Sequence, residues 1–243
     1  MIEVQRLRKR FARRVAVEEV TFQATDGCVT GLLGPNGAGK TTTLRLLSGL
    51  LRPDDGLTLV DGADVARHPE AARRALGILP ETAGLYGRLT AREHLEYAAR
   101  LHGLARRDRA AAIDRVLAAL DMEEIADRRT AGFSHGERRK VSLARALVHD
   151  PRNILLDEPT NGLDVMSIRA VRRQVRRLAE AGKCVLLSTH VMQEAAALCG
   201  RIVIVARGRV VAEGTPADIL AAGGKTDLED AFVALIGTEE GLN

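Results

Sequence analysis

Residues 34–41 read GPNGAGKT, and this string narrows the fold more than any other stretch of the chain. It fits G-x-x-x-x-G-K-[ST] and stands between a predicted strand over 29–33 and a predicted helix over about 39–50, the context the pattern requires. Gly34, Gly37 and Gly39 let the backbone curl so that N–H groups point inward at phosphate oxygens. Pro35, Asn36 and Ala38 complete the loop and are counted with it as nucleotide contacts. The helix N-terminus behind the loop adds partial positive charge. Lys40 places an ammonium on the β- and γ-phosphates, the Thr41 hydroxyl is the expected Mg²⁺ ligand, and Thr42 adds a further donor. The loop alone specifies a nucleoside triphosphate. It does not separate kinases, GTPases, helicases and transport ATPases.

The rest of the chain narrows the class. Its 243 residues suit one large α/β domain, or one with an inserted lobe. Hydrophobic residues make up 46% but aromatics only 2%, so the core must be aliphatic. A net charge of +4 is compatible with an anionic ligand or a membrane surface and too weak to argue for nucleic acid. Cys28, Cys184 and Cys199 are sparse and unevenly spaced, which fits a reducing compartment and neither a disulfide framework nor a zinc pattern. The first residues, MIEVQRLRKRF, hold no apolar signal segment. No apolar run approaches the roughly 18 residues of a membrane span. The chain is therefore expected to be soluble, with any membrane part supplied by another chain.

Short apolar runs alternate with helical patterns, which argues α/β. Further strands are expected over 154–157 and 184–188, with a helix over 165–181 between them. That helix carries Val165, Ile168, Val171, Val175 and Leu178 on one face and Arg172, Arg173, Arg176 and Arg177 on the other, which reads as a solvated face. Residues 1–30 show β-type alternation and predict antiparallel strands. Residues 84–132 are helical, rich in Ala and Arg, and look like an inserted lobe. The tail from residue 227 has a helical pattern.

Residues 153–159 read NILLDEP, a buried strand ending in two adjacent carboxylates. Neighbours on a strand point to opposite sides, so Asp157 and Glu158 are expected to do different jobs. One can help hold Mg²⁺ and the other can reach the water that attacks the γ-phosphate. Asp-Glu-Pro is also turn-like, but its place downstream of a phosphate loop favours the catalytic reading. His190, after the apolar run LLST, can donate to a γ-phosphate or to the attacking water; taken alone it reads as an ordinary strand-end residue.

These pieces in this order resemble the ATP-binding subunit of an ABC transporter. Residues 133–137 read FSHGE, about twenty residues before NILLDEP, where that family has its Leu-Ser-Gly-Gly-Gln signature. Phe133, His135 and Glu137 depart from the pattern; Ser134 and Gly136 keep it, and by resemblance they contact a γ-phosphate. Ser134-x-x-Glu137 is also a capping box before an amphipathic helix, and a capped helix N-terminus suits an anion site. Residues 161–164, NGLD, match the family's D-loop, although Asp164 is equally a helix N-cap. Phe11 sits where the family places an aromatic that stacks on adenine, and its bland alternative is a core residue. His190 matches the family's switch histidine. Glu81 stands where the family usually has a Gln that reaches Mg²⁺, and a carboxylate can still ligate the ion.

The resemblance implies an α/β fold: a P-loop NTPase, RecA-like core with an N-terminal antiparallel β-subdomain and an inserted α-helical subdomain. One domain would span 1–243, with the core over about 1–83 and 133–220, the helical subdomain over 84–132 and a helical tail over 221–243. Glu158, His190 and Lys40 would be catalytic, and Thr41, Glu81 and Asp157 would hold Mg²⁺ beside ATP. The loop of one subunit would meet Ser134, His135, Gly136 and Glu137 of a second in a head-to-tail dimer, with a homodimer expected. The pair would sit at the cytoplasmic face of the cell membrane on an integral membrane permease subunit. The stretch 79–104 and the tail look like the subgroup serving exporters of the ABC-2 kind, whose substrates include sodium and drugs. The leading rival is a soluble ABC-type ATPase acting on nucleic acid or the ribosome. Such relatives usually carry two cassettes or a long coiled coil, and this chain shows neither. A GTPase would be expected to carry Asn-Lys-x-Asp, and no such motif is present.

Overall fold

The computed structural model describes residues 1–12, 14–82 and 84–237. In chain order the elements are β1 (Ile2–Phe11), β2 (Arg14–Ala24), β3 (Val29–Leu33), α1 (Lys40–Leu47), β4 (Asp55–Val60), β5 (Ala63–Asp64), α2 (Pro69–Ala75) and β6 (Leu76–Leu79). The helices α3 (Ala91–Leu101), α4 (Arg106–Ala119) and α5 (His135–Leu147) follow, then β7 (Asn153–Asp157), α6 (Val165–Glu180), β8 (Cys184–Thr189) and α7 (Met192–Leu198). The chain closes with β9 (Arg201–Ala206), β10 (Arg209–Gly214), α8 (Pro216–Gly223) and α9 (Leu228–Ile236). Residues 238–243 of the expected tail lie outside the described residues.

Among the described residues the strands form one ten-stranded sheet in the order β5-β4-β1-β2-β10-β9-β3-β8-β7-β6. Two halves meet in it. β6, β7, β8, β3 and β9 run parallel, as buried apolar strands joined by helical crossovers must. β5, β4, β1 and β2 are antiparallel. Hence the expected antiparallel β-region extends past residue 30 to include β4 and β5. The seam between the halves is the β2–β10 pairing, with a single register pair, Arg209↔Glu19.

The two-residue period of the parallel strands splits the core. Leu32, Leu155, Leu186 and Val203 pack on one face with α1 and the β1–β2 hairpin. Leu33, Leu156, Leu187 and Ile204, one residue on, face the helices α3 to α7. Both layers are aliphatic apart from a few phenylalanines, as the composition requires.

Helix ends carry local signals. Thr90 with Glu93 and Ser134 with Glu137 form reciprocal capping boxes at the starts of α3 and α5. Asp164 caps α6, its carboxylate accepting from the Met166 and Ser167 amides. Helix α1 stops at Leu47, short of the expected residue 50, because Gly49 adopts φ 68° just past its end and unwinds the turn. The arginine face of α6 is largely exposed as expected, but Val165 is exposed too, so the apolar stripe starts later than the pattern predicts. Helix α5 packs against both β6 and α3, so it touches the sheet and the helical lobe alike.

Candidate nucleotide site

The parallel strands deliver the site. The segments leaving the C-terminal ends of β3, β6, β7 and β8 carry Gly34, Glu81, Glu158 and His190 respectively, the end of such a sheet where ligands bind. The loop after β3 is seated by close backbone approaches. A Cβ on Gly34 would run into the Val205 carbonyl at the end of β9, and one on Gly39, whose φ is 105°, into the Ala16 carbonyl of β2. The Gly208 amide, between β9 and β10, donates to the Ala38 carbonyl at 3.1 Å. Glycine is therefore required for packing as well as for phosphate access.

Lys40 is only 7% exposed. Its ammonium donates to the Gly34 carbonyl at 2.7 Å and the Pro35 carbonyl at 3.2 Å, and lies 3.9 Å from Glu158 Oε1. Burial pulls its pKa down, and the carboxylates of Glu158, Asp157 and Glu81 oppose that pull. Thr41 Oγ1 donates to Asp157 Oδ1 at 3.3 Å, and the Ser188 hydroxyl donates to the same oxygen.

Glu158 does not follow the alternation expected of a strand residue. β7 ends at Asp157, and Glu158 sits at φ 47°, in the left-handed region that costs a non-glycine residue roughly 1–3 kcal/mol. The bend, rather than the pleat, aims its carboxylate. Glu158 Oε1 lies 2.9 Å from His190 Nδ1, while the Glu158 amide donates to the Ser188 carbonyl at 3.1 Å. The two carboxylates therefore have different partners, as expected, but for a different geometric reason.

Phe11 is 44% exposed, so it is no core residue. With Asn36, Thr42, Glu81 and Glu158 it lines a cavity of about 300 Å³ that also takes in Gly37, Gly39, Lys40 and Thr41. Glu81 is exposed and lies beyond the end of β6 rather than on the strand itself. Gly34, Pro35, Ala38, Asp157 and His190 are not part of that lining.

The segment 133–137 is elsewhere. Ser134, His135, Gly136 and Glu137 do not line this cavity; they open α5, with Phe133 buried beneath them in the place of the family's Leu. The Ser134 amide donates to Glu137 Oε2 at 2.8 Å, and this bond holds the Glu137 carboxyl below its ordinary range. His135 Nε2 lies 3.3 Å from the Asn161 carbonyl, and a Cβ on Gly136 would press on the Ser167 hydroxyl. The two sequence motifs thus abut within one chain. Asp164 Oδ2 accepts from that Ser167 hydroxyl at 2.7 Å.

Two contributors are not read from the sequence. Ser188, inside the apolar run of β8, anchors Asp157 and Glu158. Arg139 on α5 is buried and directs its guanidinium at the same segment. A buried strand serine is a weak signal, and an arginine in the run RRK reads as a solvated helix face.

A phosphate loop at the end of a parallel sheet, facing an acidic pair and a histidine, defines a P-loop nucleotide hydrolase. The family described as "ABC transporter" matches residues 17–161. The chain is 41% identical over 221 residues to the ABC transporter ATP-binding protein NatA of Bacillus subtilis (strain 168), covering 90% of this chain and 89% of that protein. It is 37% identical over 231 residues to the Nod factor export ATP-binding protein I of Paraburkholderia xenovorans (strain LB400), covering 95% and 76%. A solved ATP-binding subunit of an ABC transporter superposes with a TM-score of 0.89 at 34% identity, covering 98% of this chain and all of that one. The chain belongs to the ABC transporter ATP-binding family. It is an ATP-binding subunit, of a family that hydrolyses ATP to power transport, works with membrane permease components and forms dimeric cassettes. The transport reading therefore stands over the soluble rival. Among the described residues no helix is long and apolar enough to cross a membrane.

Proposed function

We propose that this chain drives export of a small solute through a separate membrane permease, with ATP hydrolysed between two copies of the cassette. The observation that carries the chemistry is the convergence on Glu158: its carboxylate lies 3.9 Å from the Lys40 ammonium and 2.9 Å from His190. Lys40 binds the β- and γ-phosphates. Glu158 orients or deprotonates the attacking water, and His190 holds that carboxylate and the γ-phosphate in line. Phe11 stacks on the adenine, and residues 34–42 hold the triphosphate.

Mg²⁺ fits the residues present. The Thr41 hydroxyl and the Asp157 carboxylate, 3.3 Å apart, with Glu81 lining the cavity beside Thr41, form an all-oxygen donor set. No group of three or more His, Cys, Asp or Glu side chains placed to hold a metal occurs among the described residues. Mg²⁺ is usually held by one or two carboxylates, with phosphate and water completing its shell. Mg²⁺ would neutralise charge on the transferred phosphoryl group.

Ser134 and Gly136 lie outside the cavity and would serve the ATP of a second subunit, with His135, Glu137 and Asp164 flanking that contact. A homodimer is the simplest arrangement. The helical lobe would meet the permease at the cytoplasmic face of the membrane. Export is supported by the relative named for Nod factor export. The cargo belongs to the small solutes, sodium and drugs among them. The test is Glu158→Gln: hydrolysis slows by about 10²- to 10⁴-fold while ATP binding is kept. Wild-type turnover in that variant removes Glu158 from the mechanism.

A further inference from the structure

Arg139 occupies the second turn of α5 and is 6% exposed. Among the described residues no carboxylate pairs with its guanidinium. Its donors go to five backbone carbonyls instead. Nε donates to Pro159 at 3.1 Å, Nη1 to Pro80 and Glu81, each at 2.8 Å, and Nη2 to Asp157 at 2.7 Å and Glu158 at 2.6 Å. A guanidinium has five N–H donors in a rigid plane, and here each has an acceptor. The acceptors lie on the segments leaving β6 and β7, which carry Glu81 and Glu158. Burial lowers the Arg139 pKa, and Asp157, Glu81 and Glu158 oppose this.

We infer that Arg139 is a positioning residue for hydrolysis: from the helix that Ser134 opens, it holds the backbone that aims Glu158 and Glu81 at the nucleotide. Glu158 is the link that needs holding. Its left-handed φ of 47° is unfavourable for a side chain-bearing residue and persists only under restraint from outside. The Ser188 carbonyl secures its amide, and Arg139 secures its carbonyl together with the Asn161 amide at 3.2 Å. Lysine keeps the charge but offers three donors from one point, and it cannot span acceptors on two segments. Through the same side chain, any shift of α5 when Ser134 meets a ligand reaches the acidic pair. A single rigid group thus connects the half-site that serves another subunit's ATP to the half-site that cleaves its own.

The inference rests on Glu158 as the water-positioning group, and the experiment separates the two. Full-length Arg139→Lys and Arg139→Gln are compared with Glu158→Gln and with Arg139→Lys/Glu158→Gln. Single-turnover hydrolysis of radiolabelled ATP reads slow rates, steady-state assays give kcat and KM, and fluorescence titration gives nucleotide affinity. Arg139→Lys is expected to lose about 10²-fold in kcat, as a misplaced catalytic group does, with KM and nucleotide affinity within about threefold of wild type. In the double variant the loss is expected to be no greater than in Glu158→Gln, because both changes act through one group. Losses that multiply overturn the inference while leaving Glu158 in place. So does an Arg139→Lys or Arg139→Gln variant that turns over at the wild-type rate, or that loses ATP affinity or folding in step with turnover. Wild-type turnover in Glu158→Gln removes the group through which Arg139 acts and overturns both.

Discussion

At the scale of single residues, Lys40 shows how tightly the site is wound in this structure. Its ammonium bonds to carbonyls of its own loop, burial lowers its pKa, and the carboxylates of Glu158, Asp157 and Glu81 oppose that pull. Phosphate oxygens offer stronger, charge-assisted acceptors. Lys40→Ala is expected to weaken ATP affinity by at least about tenfold, read by fluorescence titration, without a change in thermal midpoint large enough to indicate unfolding. Retained affinity counts against the phosphate-loop assignment. Lys40 and its loop are legible in the sequence because strand, glycines and helix follow one another within a dozen residues. Asp157 and Glu158 are legible as a pair, but the left-handed turn that divides their tasks is not. Nothing local distinguishes a bend at Glu158 from a continued strand. Arg139 is invisible for a stronger reason: its acceptors lie 18 to 59 positions away in the chain.

At the scale of elements, the C-terminal ends of α3 and α5 meet in an imidazole stack. His102 and His149 lie with ring centroids 3.5 Å apart and planes within 5° of parallel. His149 also bonds the Leu76 carbonyl at 3.0 Å. Burial, with His102 adding to it, pushes His149 down to about 4 from its ordinary 6.5, and burial lowers His102 as well. The unfolded chain takes up these protons near 6.5 and the folded chain does so only further down. Between those values the unfolded state binds more protons, so stability is complete above about 6.5 and falls as pH drops toward 4. The loss from His149 reaches up to about 3 kcal/mol at its full extent. Thermal midpoints measured from pH 7 to pH 4 are expected to fall steeply, and less steeply in His149→Gln. Equal slopes would show that the stack does not control acid stability. No element is expected from the sequence over 201–214, where the structure has the β9–β10 hairpin. Its first strand is an unbroken apolar run, which periodicity cannot tell from a buried helix. Helix α6, with its clear 3.6-residue pattern, is recovered nearly to its ends, and its one misplaced residue, Val165, lies in the first turn, ahead of the buried stripe.

At the scale of the whole molecule, the segment 133–137 lies outside the cavity, and because the family forms dimeric cassettes a second subunit is expected to bring its own copy to the nucleotide. Glu158→Gln incubated with ATP is expected to elute as a dimer in size-exclusion chromatography. Adding Ser134→Asp should return it to a monomer. Aspartate caps a helix as well as serine does, so α5 keeps its start, while the new charge repels the partner's γ-phosphate. A dimer that survives Ser134→Asp would mean that the contact lies elsewhere. The α/β class and the presence of a helical lobe are readable from patterning alone. The strand order is not, because β10 joins β2 across the length of the chain.

That joint has one further consequence. The two halves of the sheet share a single register pair, yet Gly34 is wedged against β9, Gly39 against β2, and Ala38 is tied to Gly208. The phosphate loop is thus the keystone of the sheet as well as its ligand seat. It adds to the aliphatic core through which the hairpin carrying Phe11 already packs on the strands carrying the acidic pair. On the binding mode proposed above, a nucleotide gripped at its base by one half and at its phosphates by the other would work as mortar, coupling occupancy to architecture.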